Sequence, residues 1–358
     1  MKRYLAYRAG PQVLNIIREE GLAPRRIKVF AAAAGGPKWF VCVGFDTAVI
    51  RTGFLQKGDG RVLLVGSSAG AWRCLTIACR DPLEAYERLR LGYSRSAFTA
   101  ADTPETVSAA FRGNVDRFLF DDQINYILDH PTYDLGIQTV RSRGPAALKS
   151  GNWQFAALLV SAAMNAVSPR GMELFYERVV FYSGRSRPQY LDNSFRGRSV
   201  KLTNENIRQA ALATGSLPYI MAGVPDIPGA PRGVYRDGGL IDYQLNQDYC
   251  PGPESVTLFF HYQERIVPSW LDKKLTWRRP TRGSLDNVLQ VYPTEEFLRL
   301  LPDGRLPDRQ DFVDFVDDPG ERIRRWDEAS EKSAALGEQF MEDWESGRIG
   351  DLVRPFPD

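Results

Sequence analysis

Histidine is scarce in this chain: the 358 residues contain only two, His130 and His261. Neither lies near the cysteines at zinc-ligand spacing, so no metal site and no cofactor are expected. The four cysteines, Cys42, Cys74, Cys79 and Cys250, form no C-x-x-C pair and read as small buried hydrophobes in a reducing compartment. There is no charge excess either. Lys+Arg total 46 and Asp+Glu 44, a net of +2, which argues against a dedicated nucleic-acid binder. Long apolar runs are also lacking. The most apolar stretch, Phe155 to Val167, spans 13 residues and carries Ser161 and Asn165, whereas a membrane span needs about 20. The N-terminus lacks the apolar core of about 7–15 residues that a secretory leader requires, so a cytoplasmic protein is expected.

What is present is alternation. Ile27 to Ala33 reads as a buried strand. It is followed by Gly35-Gly36-Pro37 and an apolar stretch of helical length from Trp39 to Ile50. Val62 to Val65 reads as a second strand, running into Gly66-Ser67-Ser68-Ala69-Gly70 and a helix from Ala71 to about Cys79. Strand, glycine turn and helix, twice in succession, predict an α/β fold with a mainly parallel sheet. Further strands are expected at Leu158–Val160, Val179–Tyr182, Gly233–Gly239 (closed by a turn) and Val256–Phe260, and a helix over Thr203–Thr214 with Thr203 as its cap. Residues 94–150 are polar with few strand signals and read as a helical insertion or lid. Glu321 to Ser346 reads as one long amphipathic helix, with Ile323, Trp326, Ser330, Ser333, Phe340 and Trp344 on one stripe.

The turn Gly66–Gly70 is a G-x-S-x-G motif. Between a strand and a helix it has the setting of a nucleophile elbow, with Ser68 pushed out at the helix N-terminus and glycines where backbones approach closely. Ala34-Gly35-Gly36-Pro37 matches neither a P-loop nor a dinucleotide fingerprint. Its paired amides suit an oxyanion hole, and it too follows a parallel-type strand. Lys38, just beyond it, is a candidate substrate contact or a solvated helix-start lysine. For the base there are two candidates. Asp237 in Arg236-Asp237-Gly238-Gly239 sits on a sharp glycine turn, and His261 ends a strand after Ser68 in chain order. His130 reads as a surface residue of the insertion.

The three motifs, in this order, resemble the patatin-like phospholipase family: a glycine-rich oxyanion loop after the first strand, then G-x-S-x-G, then D-G-G. The 32 residues from Gly36 to Ser68 are a patatin-like interval, and Ala211–Pro218 is similar to the family's helix that ends in a small-residue Pro turn before D-G-G. The resemblance covers roughly residues 27–80 and 155–265 of the chain. It implies a three-layer α/β/α sandwich over residues 1–358 and a Ser–Asp dyad. Ser68 would be the nucleophile, Asp237 the base, and Gly35 and Gly36 the oxyanion donors. The pattern departs at Ala34 (usually Gly), Lys38 (usually Arg), Trp39 (usually Gly) and Asp242-Tyr243 (usually an Asn pair), which bears on substrate rather than on the dyad. Residues 265–358 match no family pattern and are expected to pack on the domain as a C-terminal extension.

The implied activity is hydrolysis of acyl esters, lipid or otherwise, through an acyl-serine. Two other readings stay open: an acyltransferase or thioesterase on the same residues, and a catalytically silent lipid- or partner-binding protein. The segment Ile266–Arg279 mixes two tryptophans with four basic residues of its last seven positions. It offers either a peripheral membrane contact or a solvated basic face.

Overall fold

The structure, a computed structural model, describes residues 2–148, 152–185, 188, 195, 197–250 and 252–357. Its strands are β1 (Leu5–Ala9), β2 (Ile27–Ala32), β3 (Val62–Ser67), β4 (Tyr133–Ser142), β5 (Tyr176–Tyr182), β6 (Gly197–Lys201), β7 (Val224–Pro225), β8 (Val234–Asp237), β9 (Val256–Phe260), β10 (Val288–Pro293) and β11 (Arg354–Pro355). All belong to one sheet with the order β11-β1-β10-β9-β2-β3-β4-β5-β6, and β8 pairs with both β4 and β7. The centre, β10-β9-β2-β3-β4, is parallel throughout. The fold is therefore α/β with a mostly parallel sheet and flanking helices. The central strands are buried on both faces, which is why β2, apart from Lys28, and β9, apart from Thr257, read as apolar runs.

The helix Val43–Arg51, preceded by a tight turn at Gly36–Cys42, and the helix Ala69–Ile77 follow the two glycine turns as expected. They are cross-tied. Arg73 donates to both carboxylate oxygens of Asp46 at 2.6 and 2.8 Å, in an ion pair with no solvent exposure. Removing one partner of such a pair typically costs about 3–5 kcal/mol, because the other charge stays buried.

Four expectations are corrected. Leu158–Val160 is not a strand but lies inside the helix Asn152–Val167; a short apolar run does not by its pattern alone distinguish strand from helix. The expected 203–214 helix is shorter, Ile207–Ala213, and Asn206 rather than Thr203 precedes it. The Asn206 Oδ1 accepts the Thr203 amide at 2.9 Å and holds the preceding turn. The long C-terminal helix is two, Pro319–Lys332 and Ala334–Glu345. At the break the Ser333 hydroxyl accepts the Gly44 amide at 2.8 Å, anchoring the joint to the helix after the first glycine turn.

The fourth correction matters most. Residues 94–150 are not helical throughout. They hold helices Pro104–Asp116 and Asp121–Leu128 and then β4, which has strands along both edges. Residues 149 and 150 lie outside the described residues. The C-terminal residues likewise do more than pack on the outside: β10 hydrogen-bonds β9 and β1 within the sheet. Cys42, Cys74 and Cys79 are buried and unpaired, and Cys250 is half-buried.

Candidate active site

β3 ends at Ser67, and the chain turns at Ser68 into the helix Ala69–Ile77. Ser68 has φ 53° and ψ −132°, a left-handed conformation that a residue with a side chain adopts only under constraint. The constraint is close packing. A Cβ on Gly70 would lie 2.1 Å from the Ala32 carbonyl oxygen, so this position requires glycine. The Ser68 amide donates to Thr214 Oγ1 at 2.8 Å, and that hydroxyl donates to the Gln138 carbonyl at 2.6 Å. The elbow is thereby pinned to β4.

β4 also brings in Asp237. Along one edge β4 first pairs with β3, ending at Ser67↔Gln138, and then with β8, beginning at Thr139↔Asp237. Consecutive β4 residues thus hold the end of the nucleophile strand and the end of the aspartate strand. Asp237 is 2 % and Ser68 3 % exposed. The Asp237 Oδ1 accepts the Gly239 amide at 2.8 Å, and its amide donates to Ser216 O at 3.1 Å. The Ser68 hydroxyl reaches the carboxylate. Catalytic hydrogen bonds of this kind commonly tighten when substrate arrives. Burial raises the Asp237 pKa above its ordinary value. The Arg309 guanidinium, the Gly239 amide, the Ser68 hydroxyl and Lys273 work against that rise.

The 34–36 loop stands beside the elbow. Ala34 is gripped at both ends: its amide donates to Tyr243 O at 2.9 Å and its carbonyl accepts the Tyr262 hydroxyl at 2.7 Å. Gln244 Nε2 donates to that same hydroxyl at 2.8 Å. Among the described residues, the amides of Gly35 and Gly36 donate to no acceptor, which leaves two buried donors at the sheet's carboxyl edge. Asp242 is structural. It forms a buried ion pair with Arg178 at 2.7 Å, and its carbonyl accepts the Ser67 hydroxyl at 2.5 Å.

Ser68 opens onto a cleft of about 340 Å3 whose walls are mainly apolar, among them Trp72, Phe98, Phe111, Leu217 and Phe312. One polar residue at its rim was not foreseen. Arg309 enters from the C-terminal region, its guanidinium 3.9 Å from Asp237 Oδ2 and its Nε 2.8 Å from where a Cβ on Gly36 would fall. The neighbouring Asp308 pairs with Lys38. Nothing in the local sequence Asp308-Arg309-Gln310 marks it, since only the return of the chain past residue 300 puts it there.

Ser68, Asp237, Gly35 and Gly36 are therefore together, with Lys38 at the edge and committed to Asp308. His261 is not with them. It is fully buried and does not line the cleft; its Nδ1 faces Gln263 O at 2.5 Å, and burial pushes it down to about 3, so it stays neutral. His130, expected at the surface, is buried, and its Nδ1 accepts the amides of Thr132 and Tyr133 at 3.0 and 2.9 Å. Among the described residues no group of His, Cys, Asp or Glu side chains is arranged to hold a metal ion. No protein-family model matches this chain, and no curated protein matches it.

Proposed function

We propose that this protein is a serine acyl hydrolase of the patatin-like type, cleaving acyl esters of lipids or similar apolar acids with a Ser–Asp dyad. One observation carries the reading: a conformationally strained serine in contact with a buried carboxylate, beside two unpaired amides, at an apolar cleft.

The acyl chain occupies the cleft, and its carbonyl carbon sits over Ser68. Ser68 Oγ attacks that carbon while its proton passes to the Asp237 carboxylate, whose basicity burial has raised. The carbonyl oxygen, now negative, accepts from the Gly35 and Gly36 amides; one such donor is typically worth about 3–4 kcal/mol in the transition state. Asp237 returns the proton to the departing alkoxide as the ester C–O bond breaks, leaving acyl-Ser68. Water then attacks the acyl carbon and gives its proton to Asp237, which passes it back to Ser68 Oγ as the free acid leaves. Lys38 pairs with Asp308, and no step of this chemistry uses it.

The test combines labelling by a fluorophosphonate probe with turnover of p-nitrophenyl acyl esters of rising chain length. Wild type is expected to be labelled at Ser68 and to prefer chains long enough to fill the cleft. Absence of an adduct on folded protein would leave a silent binding protein. Acyl transfer to an added alcohol or thiol in preference to water would make it a transferase.

A further inference from the structure

The helix Asn152–Val167 is inside out. Its inward positions are Gln154, Ala157, Ser161 and Asn165, all buried, and three of these four are polar. The inward polar groups are used: Gln154 Nε2 donates to Leu148 O at 3.0 Å, Ser161 Oγ to Leu158 O at 2.8 Å, and Asn165 Nδ2 to Asp272 Oδ1 at 2.7 Å. Its outward positions are apolar. Trp153 is 73 % exposed, Leu159 55 %, Val160 51 % and Val167 89 %, with Phe155 and Met164 on the same side. The helix carries no charged residue anywhere along its 16 positions. A surface helix in water shows the opposite arrangement, and an exposed apolar stripe of this size marks a contact surface.

Two further observations identify what covers it. The stripe is continuous with the mouth of the cleft: Phe155 packs against Tyr219 with ring centroids 6.0 Å apart, and exposed Tyr219 and Ile220 line the cleft that contains Ser68. A protein partner on this face would cover the mouth, whereas a lipid layer would open onto it. The far end of the helix is basic and aromatic. Arg278 donates to Asn165 O at 2.6 Å, which brings the 270–279 segment alongside, with Trp277 65 % exposed. Arg170, Lys274 and Arg279 are exposed there and form no ion pair among the described residues; of the carboxylates nearby, Asp272 is buried and paired with Arg278 at 3.3 Å, and Glu173 is half-buried. Lys273 and Arg278 are committed elsewhere, Lys273 over the rings of Tyr243 and Trp270 and Arg278 to the helix end. At 16 residues the helix is about 24 Å long, shorter than the hydrocarbon core of a bilayer. It fits lying in the interface, apolar side down and cations among the headgroups.

We infer that the outward face of helix 152–167, with Trp277, Lys274 and Arg279, docks this protein on an anionic lipid surface and sets the mouth of the Ser68 cleft against the acyl layer. Docking is independent of the chemistry proposed for Ser68. It is therefore tested on the Ser68→Ala chain, so that a failed docking result leaves the hydrolase reading standing, and the reverse.

The measurement is co-sedimentation with phosphatidylcholine vesicles, with and without phosphatidylglycerol, alongside light scattering to count copies in solution. The Ser68→Ala chain is expected to sediment with the anionic vesicles. Leu159→Glu/Val167→Glu should lose about tenfold or more in bound fraction, and Lys274→Glu/Arg279→Glu should lose the preference for anionic lipid. Leu159→Gln/Val167→Gln, neutral and at the same exposed sites, should lose binding as well. Unchanged circular dichroism would assign these losses to the surface rather than to unfolding. Equal sedimentation of the parent and both double variants of the helix would overturn the inference. So would a dimer, present without lipid, that the same substitutions dissociate.

Discussion

The floor of the cleft and its lip are built by different means. On the floor, the backbone sets every position. Ser68 is held at a positive φ between glycines, Asp237 ends a strand registered against β4, and the 34–36 loop is gripped through its own amide and carbonyl. On the lip, long side chains do the work: Arg309 leans toward Asp237, and Lys38 pairs with Asp308 where both are part-exposed. Backbone placement gives positional precision at the reacting atoms. Side-chain placement gives charge and access, which substitution can adjust without moving the floor. On that contrast, changes to the floor should be all-or-nothing and changes to the lip graded.

The largest effect is expected from Gly238→Ala. Its Cβ would fall 2.1 Å from the Gln138 carbonyl oxygen, so β8 must separate from β4 and carry Asp237 away from Ser68. Overpacking of this kind costs about 1–3 kcal/mol or more, and turnover should vanish together with a lowered melting temperature. Ser68→Ala should lower kcat at least about 10^3-fold at unchanged stability, measured on the best ester of the panel.

Asp237→Asn keeps the acceptor for the Gly239 amide and removes the base, so kcat should fall about 10^2- to 10^4-fold. Its stability should move the other way. The folded pKa of Asp237 is raised, so its contribution to stability is full at low pH and is lost as pH rises through that value. At pH 8 the asparagine variant should therefore unfold at an equal or higher denaturant concentration than wild type. A clear loss would show that the ionised carboxylate is better compensated than its burial indicates.

Arg309→Met tests the lip. The cation holds the Asp237 pKa down, so its removal should shift the acid limb of kcat/KM to higher pH. Activity at pH 8 should change by less than about threefold. An unmoved limb would mean that Arg309 and the base do not communicate. The smallest effect concerns His130 and His261. Burial lowers them to about 4 and about 3. Their contribution to stability is complete above the unfolded value of about 6.5 and is lost as pH falls toward the folded ones. Replacing His261 by Gln should flatten the fall in denaturant midpoint between pH 7 and pH 5, with turnover at pH 8 retained to at least about a tenth.

Legibility in the sequence divided along the same line. The two glycine turns could be read because the signal is local: β2 from Val29 onward and β3 from Val62 to Val65 are apolar runs that end at glycine-bearing turns. β4 could not. Its centre holds Gln138 and Thr139, both buried, and their polar atoms are satisfied by Tyr249 and Val179. Buried polar residues with tertiary partners look like surface when read along the chain. The helix Asn152–Val167 misled for the opposite reason, since its apolar residues face outward and its polar ones inward. Arg309 carries no local mark at all.

The chain alone therefore determined the chemistry-bearing residue types and the local turns that present them, because the alternation of apolar strand, glycine turn and helix is written within a few consecutive residues. The tertiary structure alone decided that Ser68 and Asp237 meet, that His261 stays outside, and that Arg309 stands over the base. Those outcomes depend on strand register across β4 and on the return of residues beyond 300 to the sheet edge, and long-range pairing of that kind is written in no single segment.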